Sequence, residues 1–194
     1  IGPGRQSEPQ NFDKAMGLNL DLELPSGKGP VGVPQVVPLF THFFLREIEG
    51  SYAVVEDWVL DSGSCELTWR LPASKSDPRA KGCSRTWGCT CKAWPRACPY
   101  HAALAQLSLL KKLFGADRVQ GKFPLFPDRH GDFVSIEAML ELVELLASLT
   151  GMPIKTPAGH RRFGRHSWRS TAAVWFSGQG MELFKIKLLA RWMS

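Results

Sequence analysis

The sequence predicts an α+β domain, mainly helical, in which a small three-stranded antiparallel sheet packs with a helical bundle. Three observations predict it. Apolar residues recur at helical spacing over residues 33–50 and again in several stretches after residue 97. Short β-like pieces lie between these helical regions, separated by turn-forming clusters. No internal repeat is present, so a solenoid or propeller is not indicated.

Residues 1–33 are rich in Gly and Pro, with only Leu18, Leu20, Leu22 and Leu24 alternating. They read as a flexible lead-in or linker, with the ordered domain over residues 34–194. Val36, Val37, Phe40, Phe44 and Ile48 mark one helix over residues 33–50, with Pro34 near its start and Gly50 at its end. Residues 53–60, 65–71 and 82–89 are the β-like pieces. Asp61-Ser62-Gly63-Ser64 separates the first two, and Ser76-Asp77-Pro78-Arg79-Ala80-Lys81 separates the second pair. Residues 98–114 carry Leu104, Leu107, Leu110 and Leu113, with Gly115 as a stop. Residues 135–149 open on Ser135 as N-cap and carry Met139, Leu142, Val143, Leu146 and Leu149 as an apolar stripe. Residues 166–177 and 183–192 complete the set.

A chain of 194 residues can bury one real core. Its 44% hydrophobic and 22% charged residues are those of a globular protein. No run of 18 apolar residues is present, so no membrane span is expected. The opening Ile-Gly-Pro-Gly-Arg is not a signal peptide, and the missing initiator Met suggests a fragment. A net charge of +6 favours an anionic partner without deciding that it is nucleic acid.

Chemistry-bearing residues recur in a set order. Leu45-Arg46-Glu47-Ile48-Glu49 precedes the β-like region, and Ser74-Lys75-Ser76-Asp77-Pro78 falls on the turn between its second and third pieces. His166 and Arg169 stand one helical turn apart, and Trp192 follows in Ala190-Arg191-Trp192. Cleavage at a phosphodiester builds charge on two non-bridging oxygens. Planar, permanently charged guanidiniums suit that charge. A histidine adds a hydrogen bond or moves a proton, and a lysine can protonate a leaving hydroxyl.

This pattern resembles the catalytic domain of the tyrosine recombinases, the phage-integrase family, over roughly residues 34–194. The stretch 164–194 is its most specific part. The resemblance implies a DNA breaking-rejoining fold and DNA strand transfer through a 3′-phosphotyrosine in the intact enzyme. It implies that Arg46 and Arg169 hold the scissile phosphate, that His166 and Trp192 complete its hydrogen bonding, that Lys75 is the general acid, and that Glu49 orients the site. It implies double-stranded DNA and other recombinase protomers as partners, no required cofactor, and an intracellular location wherever the DNA is kept, the nucleus in a eukaryote.

Each residue also has a plainer explanation. Arg46 and Glu49 fit a surface helix pair, Lys75 a solvated loop lysine, His166 an ordinary helix-start residue and Trp192 a core aromatic. The family's tyrosine should follow Trp192 by two to three helical turns. The chain has only Tyr52 and Tyr100, neither at that position. A catalytically inactive DNA-binding module derived from a recombinase is therefore one alternative, and a type IB topoisomerase-like enzyme is another. Whether the chain is itself an enzyme stays open on the sequence.

Two further features stand apart. Cys89-x-Cys91 and Cys98-x-x-His101 have ligand-like spacing and suggest a possible structural zinc, with Cys83 as an alternative ligand. Reduced cysteines buried around the sheet are the plainer reading. The run from His160 to His166 places Arg161, Arg162 and Arg165 before the proposed active helix, where flanking DNA phosphates are expected. Arg79, Lys81 and Arg85 flank Lys75 and are expected to add backbone contacts, which carry no base identity.

Overall fold

The computed structural model describes residues 7–18, 24, 26–71 and 82–192. Helix α1 (Phe12–Gly17), α2 (Val33–His42) and α3 (Glu47–Ser51) come first. Strands β1 (Trp58–Asp61), β2 (Glu66–Leu71) and β3 (Cys83–Gly88) follow, and then α4 (Pro99–Phe114), α5 (Ile136–Leu149), α6 (Ser167–Gly178) and α7 (Leu183–Leu189). The α+β class and the three-stranded antiparallel sheet are as expected, with β2 in the centre. Trp58 pairs with Trp69, Trp69 with Arg85, and Leu71 with Cys83. No helix among the described residues is long and apolar enough to cross a membrane.

Helix α2 is the hub, packed against α1, α4 and α6. Its Val36, Val37, Leu39 and Phe40 are fully buried. Phe40 meets Phe126 and Trp168, and Phe43 meets Trp69, so an aromatic core links the sheet to the helices. Each such side chain contributes about 1.5–3 kcal/mol by leaving water. Helix α3 crosses so close to α2 that a Cβ at Gly50 would run into the Phe40 ring. The glycine is there because nothing larger fits.

The single helix expected over residues 33–50 is instead two. α2 stops at His42, and Phe44 turns into the left-handed region at φ 51°. The Leu45 N–H then donates back to the Phe40 carbonyl at 3.0 Å, a Schellman-type closure usually made by glycine. The turn leaves the Phe43 and Phe44 carbonyls free to accept from outside the helix. Strand β1 is likewise shorter than residues 53–60, because residues Val55–Asp57 form a 3-10 turn. Ser135 caps α5 as expected, accepting from the Ala138 N–H at 3.1 Å. Helix α7 ends at Leu189, short of the expected 192, where Arg191 takes a left-handed φ of 55°.

Part of the segment expected as a mobile lead-in is anchored. Phe12 is buried against Trp175 at 4.5 Å, and the Trp175 indole N–H donates to Asp13 at 3.0 Å. Glu8 pairs with Arg162.

Candidate functional site

Helix α3 places Glu49 at the middle of the molecule's charge. The Arg46 backbone N–H at the N-cap donates to its Oε2 at 2.8 Å, so helix geometry alone fixes the carboxylate. Three guanidiniums then converge on it. Arg46 donates through Nε at 3.2 Å and Nη2 at 3.0 Å. Arg169, from the first turn of α6, donates through Nη2 to both oxygens at 3.2 and 3.0 Å. Arg191, from the turn after α7, donates to Oε1. The Glu49 side chain is only 3% exposed, and those of Arg169 and Arg191 are 5% and 13% exposed.

Backbone carbonyls complete the array. Arg169 Nε donates to Phe44 O at 3.0 Å, and Arg85 Nη1 on β3 donates to Phe43 O at 2.9 Å. These are the carbonyls released by the left-handed turn. Burial lowers the pKa of Arg169 to about 10, with Glu49 opposing that shift and Arg191 and Arg46 adding to it. Burial, with Arg191 next, also lowers Arg85 to about 10. Both stay cationic at neutral pH. Burial works against ionising Glu49, but Arg191 and Arg169 outweigh it and hold its pKa below the usual range. Burial pushes neighbouring Glu47 up to about 7. Neither Glu47 oxygen reaches a partner at full hydrogen-bond geometry, although the Glu47 and Trp168 N–H groups and Arg169 partly oppose the shift.

The cluster is over-supplied with cations. Three arginines contact one ionised carboxylate, and the buried Nε–H of Arg191 has no acceptor among the described residues. An anion would redress both.

His166 caps the N-terminus of α6, next to this cluster. Desolvation, then Arg169 and Arg46, lower its pKa, with Glu49 opposing. His166 and Trp192 line one depression of about 440 Å³ together with Ser7, Pro9 and Ser170. Trp192 is 47% exposed, so it is not the core aromatic that an apolar helix would suggest.

Thus the structure brings Arg46, Arg169 and Glu49 into contact and sets His166 beside Trp192. Lys75, Arg79 and Lys81 lie outside the described residues. Arg161 is held by Glu144 through Nε at 2.7 Å and Nη2 at 2.8 Å, and Arg162 by Glu8, while Arg165 is exposed. The sequence offers Arg85 only as a backbone contact flanking Lys75 and gives Arg191 no role of its own, whereas the structure turns both toward this array. Arg191 stands directly before Trp192, and Arg85 alternates with Cys83 and Trp87 on β3, but neither placement signals convergence. Tyr52 is exposed near Phe133, and Tyr100 is buried against His101; neither bonds to the arginine cluster.

The cysteine cluster is assembled at the other end of β3 from Cys83. The ligand atoms of Cys89, Cys91, Cys98 and His101 all lie within 4.8 Å of one another, an arrangement that could hold a metal ion. Cys83 is not in this group. It starts β3 opposite Leu71 and lies beside Arg85.

No family model matches the sequence, and no curated protein matches it. Among solved structures, the chain is similar to XerH site-specific recombinase bound to its difH substrate in a pre-cleavage complex. The TM-score is 0.62 at 14% identity, covering 97% of this chain and 48% of that one. The chain thus spans about half the length of that protein. At this identity the likeness concerns the fold, and the fold of this chain is recombinase-like.

Proposed function

We propose that this chain is the phosphate-binding catalytic-domain portion of a site-specific tyrosine recombinase, and that its anion is the backbone of double-stranded DNA. The observation that carries the reading is the convergence of Arg46, Arg169 and Arg191 on the single carboxylate of Glu49. A phosphodiester placed there would accept charge-assisted hydrogen bonds from Arg46 and Arg169. Arg191 and Glu49 would hold those guanidiniums in register before DNA arrives, so little reorganisation accompanies binding. His166 and the half-exposed Trp192 would bond the remaining oxygens. Lys75, on the connection between β2 and β3, would protonate the leaving 5′-hydroxyl in an enzyme whose tyrosine oxygen attacks phosphorus. Arg165, Arg79 and Lys81 would contact flanking phosphates, and Arg161 and Arg162 would do so by exchanging their carboxylates. Strand exchange would need further protomers on the same DNA.

One observation favours a second reading, a DNA-binding module that does not cut. Neither Tyr52 nor Tyr100 bonds to the arginine cluster. Duplex binding followed by fluorescence anisotropy over a salt series tests the first part of the proposal. Affinity should fall steeply with salt. Arg46→Gln should weaken binding on all sequences alike and reduce the salt slope by about one. An unchanged affinity in Arg46→Gln would overturn the site. A nicked duplex that traps covalent adducts, offered to the chain extended to carry a tyrosine about two to three helical turns beyond Trp192, separates the readings: a 3′-phosphotyrosyl product supports the enzyme, and binding without adduct supports the module.

A further inference from the structure

We infer that Cys89, Cys91, Cys98 and His101 bind one zinc ion, and that this ion locks the loop carrying Trp94 against α6, the helix bearing His166 and Arg169.

All four ligand atoms lie within 4.8 Å of one another, and four of their six separations are close to the edges of a zinc tetrahedron. Zinc–sulfur and zinc–nitrogen bonds of about 2.3 and 2.05 Å give tetrahedral edges of about 3.8 Å between sulfurs and about 3.5 Å between sulfur and nitrogen. The Cys89 and Cys98 sulfurs are 3.8 Å apart. His101 Nδ1 lies 3.7, 3.1 and 3.3 Å from the sulfurs of Cys89, Cys91 and Cys98. Hydrogen bonding does not explain this convergence, because one ring nitrogen carries a single proton or a single lone pair. A disulfide does not explain it either, since a bonded pair would be about 2.05 Å apart and all five cysteines are free.

The donor set selects the metal. Three soft thiolates and one imidazole in a tetrahedron suit zinc. Four protein ligands leave no open position, so the site is structural. The Thr90 N–H donates to Cys98 Sγ at 3.3 Å, the kind of outer-shell bond that stabilises a bound thiolate.

What the ion would hold is also on view. It joins the end of β3 to the first turn of α4 and closes the loop between them. Most of that loop is exposed: Lys92, Ala93, Pro95 and Arg96 all face solvent. With so little burial of its own, the loop needs an external tie to stay ordered. Its one large inward residue is Trp94, whose ring lies 4.8 Å from Trp175 and 6.1 Å from Phe176. Both partners are on α6, about two turns beyond Arg169. Trp94 also meets His42 at 6.0 Å. The ion therefore supports, through one indole, the helix that presents Arg169 to Glu49.

The test uses the full chain, purified reduced. Elemental analysis should find one zinc per chain. After removal by a chelator, Co²⁺ should give tetrahedral d–d bands with thiolate charge transfer, bleached by added Zn²⁺. Hydrogen exchange should then show the loop and α6 losing protection in the metal-free chain and regaining it with zinc. Cys91→Ser should lose more zinc affinity than the roughly 10–100-fold typical of a lost outer-shell partner. Trp94→Ala should keep the ion yet show fast exchange in α6. Absence of bound metal, an octahedral cobalt spectrum, or a disulfide among these cysteines would overturn the site. Zinc binding with α6 exchange indifferent to metal or to Trp94→Ala would overturn the coupling. No readout involves DNA, so failure here and failure of the DNA reading are separate results.

Discussion

The arginine cluster around Glu49 and the cysteine cluster around His101 solve opposite problems. The first draws its groups from α3, β3, α6 and the turn after α7, and it gathers more positive charge than its one carboxylate balances. The second draws all four groups from 13 residues of chain, and its groups crowd together with no hydrogen-bond pattern that accounts for them. Under the two proposals an anion would complete the first and a soft divalent cation the second. The difference lies in how each stays assembled without that partner. The arginines are held by the surrounding core, whereas the thiols sit on an exposed loop with little else to order it.

The largest expected effect comes from breaking the first cluster at its centre. Glu49→Gln would leave buried guanidiniums without their counter-charge, at a cost of about 3–5 kcal/mol in denaturant unfolding. Sulfate should restore more stability to this variant than to the parent. Equal gains would mean the cluster does not take anions.

Glu47 sharpens the same contrast through pH. Its folded pKa of about 7 lies above the ordinary 4.5, so between those values the folded state holds a proton that the unfolded state has lost. The contribution of Glu47 to stability should therefore fall as pH rises from about 4.5 to 7, by roughly 3 kcal/mol at about 1.36 kcal/mol per unit. Glu47→Gln should remove that contribution, so in thermal melts the stability of the parent relative to this variant should fall across the range. His42 runs the other way. Burial lowers it to about 4, with the Pro38 carbonyl opposing, so the unfolded state binds the extra proton between about 4 and 6.5 and stability rises with pH there.

Zinc should act through the second cluster. At free zinc a hundred times its Kd, the parent should gain about 2.7 kcal/mol over the chelated chain, and Cys98→Ser should gain far less. The smallest effect belongs to Arg161→Ala. Its ion pair with Glu144 has an exposed arginine and should contribute about 0.2–1 kcal/mol. A loss above that range would place Arg161 in the folding core rather than on the proposed DNA face.

The two clusters also differ in how far they could be read from the chain. Cys89, Cys91, Cys98 and His101 are close in sequence, so their spacing nearly specifies their meeting. Arg46, Glu49 and Arg169 were recoverable because a resemblance supplied their order. Arg85 was legible only as a contact flanking Lys75 and Arg191 had no role, since no local pattern marks an arginine on a short strand or just past a helix end as turned inward. Helix α1 was also missed. Six residues are too few to hold a helix by propensity, and it is the packing of Phe12 on Trp175 that stabilises it.

By itself the sequence determined the class of fold, the three strands, the turn after Asp61, the cap at Ser135 and the metal-like spacing. These rest on periodicity, turn chemistry and short-range geometry, which act within a few residues. Tertiary structure decided the break at Phe44, the left-handed Arg191 and the meeting of the guanidiniums on Glu49. A non-glycine residue enters the left-handed region at a cost of about 1–2 kcal/mol. Only contacts made by distant segments, here the Arg169 bond to the Phe44 carbonyl and the Arg191 bond to Glu49, offset that cost.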